Sequence, residues 1–249
     1  MEHSNIQQTI SALEQIALEC EENNIPHGLF AALYLKVTRQ VQRAILARIF
    51  EDGPRMERFD ILFANRYLNA YDNWRKGKPI TNSWKTAFEA SSSKNLLASQ
   101  HLLLGMNAHI NLDLGIAAAT VARGVDFEKL KNDFNKINDI LIDLLEEVQD
   151  DINQSSPVLK WLDFILHKKD EQFIGLNLRA ARQYAWECAC NLNAAEDFQW
   201  ELMITELDAH CNNIARKVLH PNLVTRWAIR FIKRFEKHSI AEQIYIVRN

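Results

Sequence analysis

Residues Leu96–Ala122 read LLASQHLLLGMNAHINLDLGIAAATVA, a run of 27 residues without a Lys, Arg or Glu. Polar groups are nevertheless inlaid in it: His101, Asn107, His109, Asn111 and Asp113. Burying such a group without a partner costs roughly 1–3 kcal/mol. A chain that keeps five of them in its most apolar segment is expected to use some of them. The run is long enough to span a bilayer, but two His, two Asn, a Gln and an Asp are each costly in hydrocarbon. The expected arrangement is a buried central helix over about residues 94–122, enclosed by other helices.

Working outward, almost every flanking segment has helical period and helical punctuation. Ile6, Ile10, Leu13, Ile16 and Ala17 share one face of a helix over about residues 5–22. Pro26 suits the first turn of the next, which is expected to run to about Glu51, and Gly53-Pro54 stops it and starts a third over about residues 55–75. A short helix is expected around 83–90, and Ser91-Ser92-Ser93 offers caps for the central helix. Further helices are expected over about 127–152, 156–167, 170–192, 197–219 and 221–238. The end of the chain, Ile244-Tyr245-Ile246-Val247, is expected to form a strand-like or docking segment. Together these make a single all-α domain over 1–249, a multi-helix bundle of about ten helices.

The composition agrees and narrows the function classes. The chain has 249 residues, is 47% hydrophobic and has only seven Gly and five Pro, which argues against an all-β or loop-rich chain. Net charge is −3, so nucleic acid is not an expected partner. The first residues, MEHSNIQQTISALEQ, have no basic region followed by an apolar one, so no leader is read and a cytoplasmic location is expected. Cys20, Cys188, Cys190 and Cys211 lack zinc-like spacing and read as reduced, buried thiols.

On the central helix, His101, Gly105, His109 and Asp113 are spaced four apart and lie along one shallow stripe, with Asn107 and Asn111 on a second line. Gly105 and Gly115 each weaken a helix by about 1 kcal/mol relative to Ala, which close approach of a neighbouring helix or ligand would explain. Two chemistries suit the stripe. In one, His109 and Asp113 ligate a divalent metal, completed by His101 or a carboxylate from another helix. In the other, Asp113 orients a histidine that acts as general acid or base on a substrate in an apolar pocket. A third reading has no chemistry: the polar groups bond to neighbouring helices and fix their register.

Four other segments offer candidates. Asp60, Phe63 and Tyr67 fall on neighbouring turns and could face the central helix, with Asp60 as a second carboxylate and Phe63 and Tyr67 against a substrate. Arg179, Arg182, Gln183, Trp186 and Glu187 sit on one helix, where Arg179 and Gln183 with Trp186 could hold an acidic group or pair with a buried acid. Asp139, Asp143, Glu146, Glu147, Asp150 and Asp151 form an acidic run without a compact diphosphate-binding motif and read as a solvated face. Arg216, Lys217, Arg226, Arg230, Lys233, Arg234 and Lys237 on the last helices, interleaved with Trp227, Phe231 and Phe235, form a local basic patch that reads as an ordinary amphipathic terminal helix rather than a membrane contact.

The run LLLGMNAHINLDL (Leu102 to Leu114) resembles the hallmark of the domain-of-unknown-function family 5995. RFDILFANRYLNAY (Arg58 to Tyr71) and RAARQYAWECA (Arg179 to Ala189) are similar to its flanking segments in kind and order. The resemblance implies a mostly helical single domain with a signature centred on His109, Asn111 and Asp113, and it supplies neither cofactor nor reaction. The residues therefore lead to an expected enzyme acting on an apolar or lipid-like small molecule. Its chemistry would be acid–base (isomerisation or cyclisation) or metal-assisted hydrolysis. The catalytic candidates are His109, Asp113, His101 and Asp60. The substrate would be lined by Asn107, Asn111, Phe63, Tyr67, Arg179 and Trp186. The alternative is a non-catalytic helical protein that binds a hydrophobic ligand or a partner helix.

Overall fold

A computed structural model of the chain describes residues 3–123, 127–137, 140, 141, 178–234, 236 and 238–249. All regular structure among them is helical: α1 (Ile6–Glu22), α2 (Gly28–Leu46), α3 (Gly53–Arg75), α4 (Asn82–Glu89), α5 (Ala98–Ala108), α6 (Leu114–Val121), α7 (Leu178–Ala194), α8 (Trp200–Leu219), α9 (Leu223–Lys233) and α10 (Ile240–Arg248). A π-helical turn, His109–Asp113, joins α5 to α6, so the central helix is continuous from Ala98 to Val121. It is long and apolar enough to cross a membrane, yet nearly all of it is buried by its neighbours. The helices packed around it are α2, α3, α4, α7 and α8, while α1 and α10 form an outer layer against α2. The expected helix over 156–167 and the whole acidic run from Asp139 to Asp151 lie outside the described residues, as do the later part of the expected helix over 127–152 and the start of the one over 170–192, whose remainder is α7.

Local chemistry sets the helix ends. The Asn5 side chain accepts from the Gln8 amide at 2.9 Å and starts α1. Asp52 does the same for α3 through the Arg55 amide, with Pro54 in the first turn. Helix α2 stops at Leu46, short of the expected Glu51, because Arg48 takes a left-handed conformation (φ 55°). The serines at 91–93 do not cap the central helix: Ser91 and Ser92 lie in a 3₁₀ turn. The helix begins instead at Ala98, whose amide donates to Glu236 Oε1, and Gln100 closes the end by accepting from the Leu97 amide. The C-terminal residues are helical, not strand-like. Ser239 and Glu242 form a reciprocal capping box, and Ile244 and Val247 are buried.

Two tertiary features fix the frame around the central helix. The buried Asp208 of α8 serves as a remote cap for α4. Its carboxylate accepts from the Asn82 amide and side chain (2.7 and 3.0 Å) and from the Ser83 amide and hydroxyl (2.9 and 2.7 Å). The glycines of the central helix mark close approaches. A Cβ at Gly105 would lie 2.5 Å from the Phe30 ring, and one at Gly115 would lie 2.8 Å from the Ala185 carbonyl oxygen of α7.

Two stability outcomes follow from this packing. Asp208→Ala leaves four donors at the start of α4 without their acceptor and should cost about 2–4 kcal/mol, read as a lower urea midpoint. Gly115→Ala gains about 1 kcal/mol of helix propensity but drives a methyl into backbone. Urea denaturation should show a net loss of about 1–3 kcal/mol; a more stable variant would mean that α7 does not seat on Gly115.

Candidate functional site

The π turn places His109 and Asp113 side by side, with Nδ1 and Oδ2 3.5 Å apart. That is an electrostatic contact longer than a full hydrogen bond. The remaining capacity of Asp113 is taken from two other helices. Arg66 of α3 donates Nε–H to Oδ1 at 2.6 Å, and Trp84 of α4 donates its indole N–H to Oδ2 at 2.8 Å. The carboxylate is buried, with 1% of its side chain exposed. Burial alone would raise its pKa, but Arg66, His109 and Trp84 outweigh burial, and the carboxyl is held below the ordinary carboxylate range.

The His109 ring sits in an aromatic cage. Phe63 stacks on it in parallel, with centroids 3.6 Å apart and planes 9° apart, and Tyr34 meets it edge-on at 4.4 Å. Phe30 closes another side at 5.4 Å. Burial lowers the pKa of the imidazole and Asp113 only partly restores it, so His109 is neutral at physiological pH. A carboxylate only accepts, so the ring proton belongs on Nδ1, facing Asp113. Nε2 is then the basic nitrogen, and it has no hydrogen-bond partner among the described residues.

His109 also lines a cavity of about 90 Å³ between α2, α3 and the central helix. A water needs about 10–15 Å³ on this measure, so the space is larger than one solvent molecule requires. Its walls include Leu33, Val37, Met56, Phe59, Met106 and Ile110. Asp60 and Arg182 line the same space. Asp60 is buried, its Oδ2 has no hydrogen-bond partner, and it takes part in no described ion pair. Burial, helped by the nearby Glu57 charge, pushes its pKa up to about 7. Arg182 is buried too. It donates to the Phe134 carbonyl at 2.7 Å and lies 4.6 Å over the Phe134 ring, and burial lowers its pKa to about 9.

Of the sequence candidates, His109, Asp60 and Phe63 thus meet on one cavity, and Asp113 stands behind His109. Others do not join them. His101, two stripe positions away, is separated by the Phe30 ring packed on Gly105, and it does not line the cavity. Burial and the Lys233 charge lower the His101 pKa to about 4. Asn107 and Asn111 bond to each other at 2.9 Å, and Asn107 donates to the Cys211 carbonyl of α8, so this line fixes helix register. Tyr67 is buried among Phe30, Trp84 and His109 without bordering the cavity. Arg179 is exposed, and Trp186 packs against Phe127 and Phe134. A helical turn separates the arginine singled out, Arg179, from the one that reaches the cavity, Arg182. Sequence reasoning offered Arg66 or Arg58 only as a surface partner of Asp60, whereas Arg66 pairs with Asp113, and it passed over Trp84 and Tyr34. Arg66 could have been found as the residue following Asp60 and Phe63 on the same helix, whereas nothing in the sequence points to Trp84 or Tyr34.

The arrangement defines an all-helical protein with a caged imidazole, a carboxylate behind it and a second, isolated carboxyl across an apolar space. The chain belongs to the family described as DUF5995, a family of unknown function, which matches residues 6–221. No curated protein and no solved structure matches it.

Asp60 makes a pH signature. Its carboxyl binds a proton in the folded chain up to about pH 7 but releases it near pH 4 when unfolded. The folded state therefore holds more protons between those values, and stability falls as pH rises from about 4 to 7. Asp60→Asn removes the penalty. The stability difference between variant and parent should grow in favour of the variant across that window, by up to roughly 4 kcal/mol at about 1.4 kcal/mol per pH unit. Urea melts at pH 4 and pH 8 measure it, and a difference that does not change with pH would refute a proton-bearing Asp60.

Proposed function

We propose that this protein is an enzyme that acts on a small apolar molecule, or on the apolar end of a lipid-like one, by proton transfer within the cavity shared by His109 and Asp60. The observation that carries the reading is the pairing of a neutral imidazole with an unpartnered Nε2 and a carboxyl poised near pH 7 on one apolar space. In an isomerisation, His109 Nε2 takes a proton from a substrate carbon and the Asp60 carboxylic acid returns one at another position. Transfer of the proton from the imidazolium to the Asp60 carboxylate then resets the pair. Asp113 keeps the proton of the neutral ring on Nδ1 and stabilises the imidazolium that forms, while Phe63 and Tyr34 hold the ring in place.

Acid–base chemistry is preferred to metal-assisted hydrolysis on the chemistry of the donors. Both Asp113 oxygens already accept N–H groups from Arg66 and Trp84, and no group of three or more His, Cys, Asp or Glu gathers among the described residues.

The test uses small apolar ketones and alkenes in D₂O, with binding read by thermal shift and chemistry by deuterium uptake at carbon. Ligands that fit should raise the melting temperature, and at least one should exchange. His109→Gln and Asp60→Asn should each slow exchange by about 10²–10⁴-fold while binding persists. Binding without exchange would replace the enzyme by a non-catalytic ligand carrier. Exchange that survives His109→Gln would remove the imidazole from the mechanism.

A further inference from the structure

Helix α9 lies apart from the cavity, and its described anchors to the bundle lie along one side. Ile229 is buried, and Lys233 Nζ donates to the Leu96 carbonyl at 2.9 Å. The opposite side carries Leu223, Trp227 and Phe231 at four-residue spacing, so they form one line along the helix. They are 70%, 71% and 63% exposed, the reverse of the packed apolar face expected of an ordinary terminal helix. Beside that line stand Arg226, Arg230 and Arg234, all exposed, and none takes part in a described ion pair.

We infer that α9 is a membrane-surface helix that lays its Leu223–Trp227–Phe231 line into the interface of a bilayer containing anionic lipid. Three arguments select this occupant. A Trp and a Phe beside arginines match the two layers of a bilayer interface, acyl boundary and charged headgroup. The net charge of the chain is −3, so the cationic strip is local and gives the attraction a direction. A second copy is disfavoured, because a two-fold contact on this face would bring the arginines of the two copies together. Nucleic acid would use the arginines but gains nothing from an exposed Leu223. The helix has 11 residues, about 16 Å along its axis, so it suits a reversible surface contact rather than a span. This inference stands independently of the chemistry proposed for the cavity.

The test is cosedimentation of the full chain with vesicles of phosphatidylcholine alone or mixed with phosphatidylglycerol, at about 0.1 M salt. Binding should be at least about tenfold stronger to the anionic vesicles, at roughly fivefold per engaged arginine. Arg226→Ala with Arg230→Ala should lower it roughly 25-fold on the same scale. Trp227→Ala with Phe231→Ala should lower it to the level seen with neutral vesicles. Both pairs change exposed side chains, so an unchanged urea midpoint verifies that each variant folds. Absence of binding to anionic vesicles overturns the inference, as does binding that neither pair reduces. A dimer that disappears with the aromatic pair, without vesicle binding, would assign the face to a second copy. Retention of a single-stranded RNA oligonucleotide by the arginines, again without vesicle binding, would assign it to nucleic acid.

Discussion

The Asp113 carboxylate is a charge in the middle of an apolar helix bundle, and the site is organised by the need to compensate it. Left alone, such an ion carries a desolvation cost of several kcal/mol. Here each oxygen receives an N–H donor from a different helix, Arg66 from α3 and Trp84 from α4, with the His109 ring alongside. One group thereby sets the register of α3, α4 and the central helix together. Such pairs add little net stability when complete, but losing one partner is costly because the other charge stays buried. The geometry of His109 is thus enforced by the penalty attached to every alternative.

Two aspartates a few ångströms from the same aromatic cluster show how environment, not residue type, assigns chemistry. Asp113 has a cation and an indole donor and stays ionised. Asp60 has neither, faces hydrocarbon and a like charge, and holds its proton up to about pH 7. Under the proposed chemistry, this separation makes Asp113 the charge stabiliser and Asp60 the proton donor. His109 lies between them in character, lowered by burial and partly restored by its neighbour.

The architecture was legible wherever local chemistry decides it. The apolar period of α1, the Asp52-Gly53-Pro54 start of α3 and the unbroken apolar run of the central helix are each written in consecutive residues. The Ser239–Glu242 capping box was equally local, but Ile244 to Val247 read as a strand-like or docking segment because a short run of β-branched and aromatic residues fits either period; the segment docks, as a helix. The start of the central helix was illegible because its first amide is capped by Glu236, far along the chain. The same distinction governs the site. His109 and Asp113 stand out as polar residues in an apolar run, and the i,i+4 spacing pairs them. Trp84, Tyr34 and Arg182 join them only through tertiary packing, and the turn that separates Arg179 from Arg182 decides which arginine faces inward.

The position of the pair between two spaces constrains how protons reach it. His109 borders the apolar cavity, whereas Asp113 and Arg66 border a polar groove of about 350 Å³ on the other side of α3, lined also by Asn65, Asn69 and Thr120. Phe63, Tyr34 and Phe30 surround the imidazole on its remaining sides; of the three only Tyr34 carries an exchangeable proton, on a hydroxyl that burial holds protonated, its pKa raised well above the ordinary phenol value. A proton exchanged at Nδ1 therefore meets the Asp113 carboxylate first, and the groove lies behind that carboxylate. The π turn matters for the same reason. Such turns are rare insertions in a helix and recur at functional sites. This one sets an imidazole toward one space and a carboxylate toward the other within five residues of a single helix.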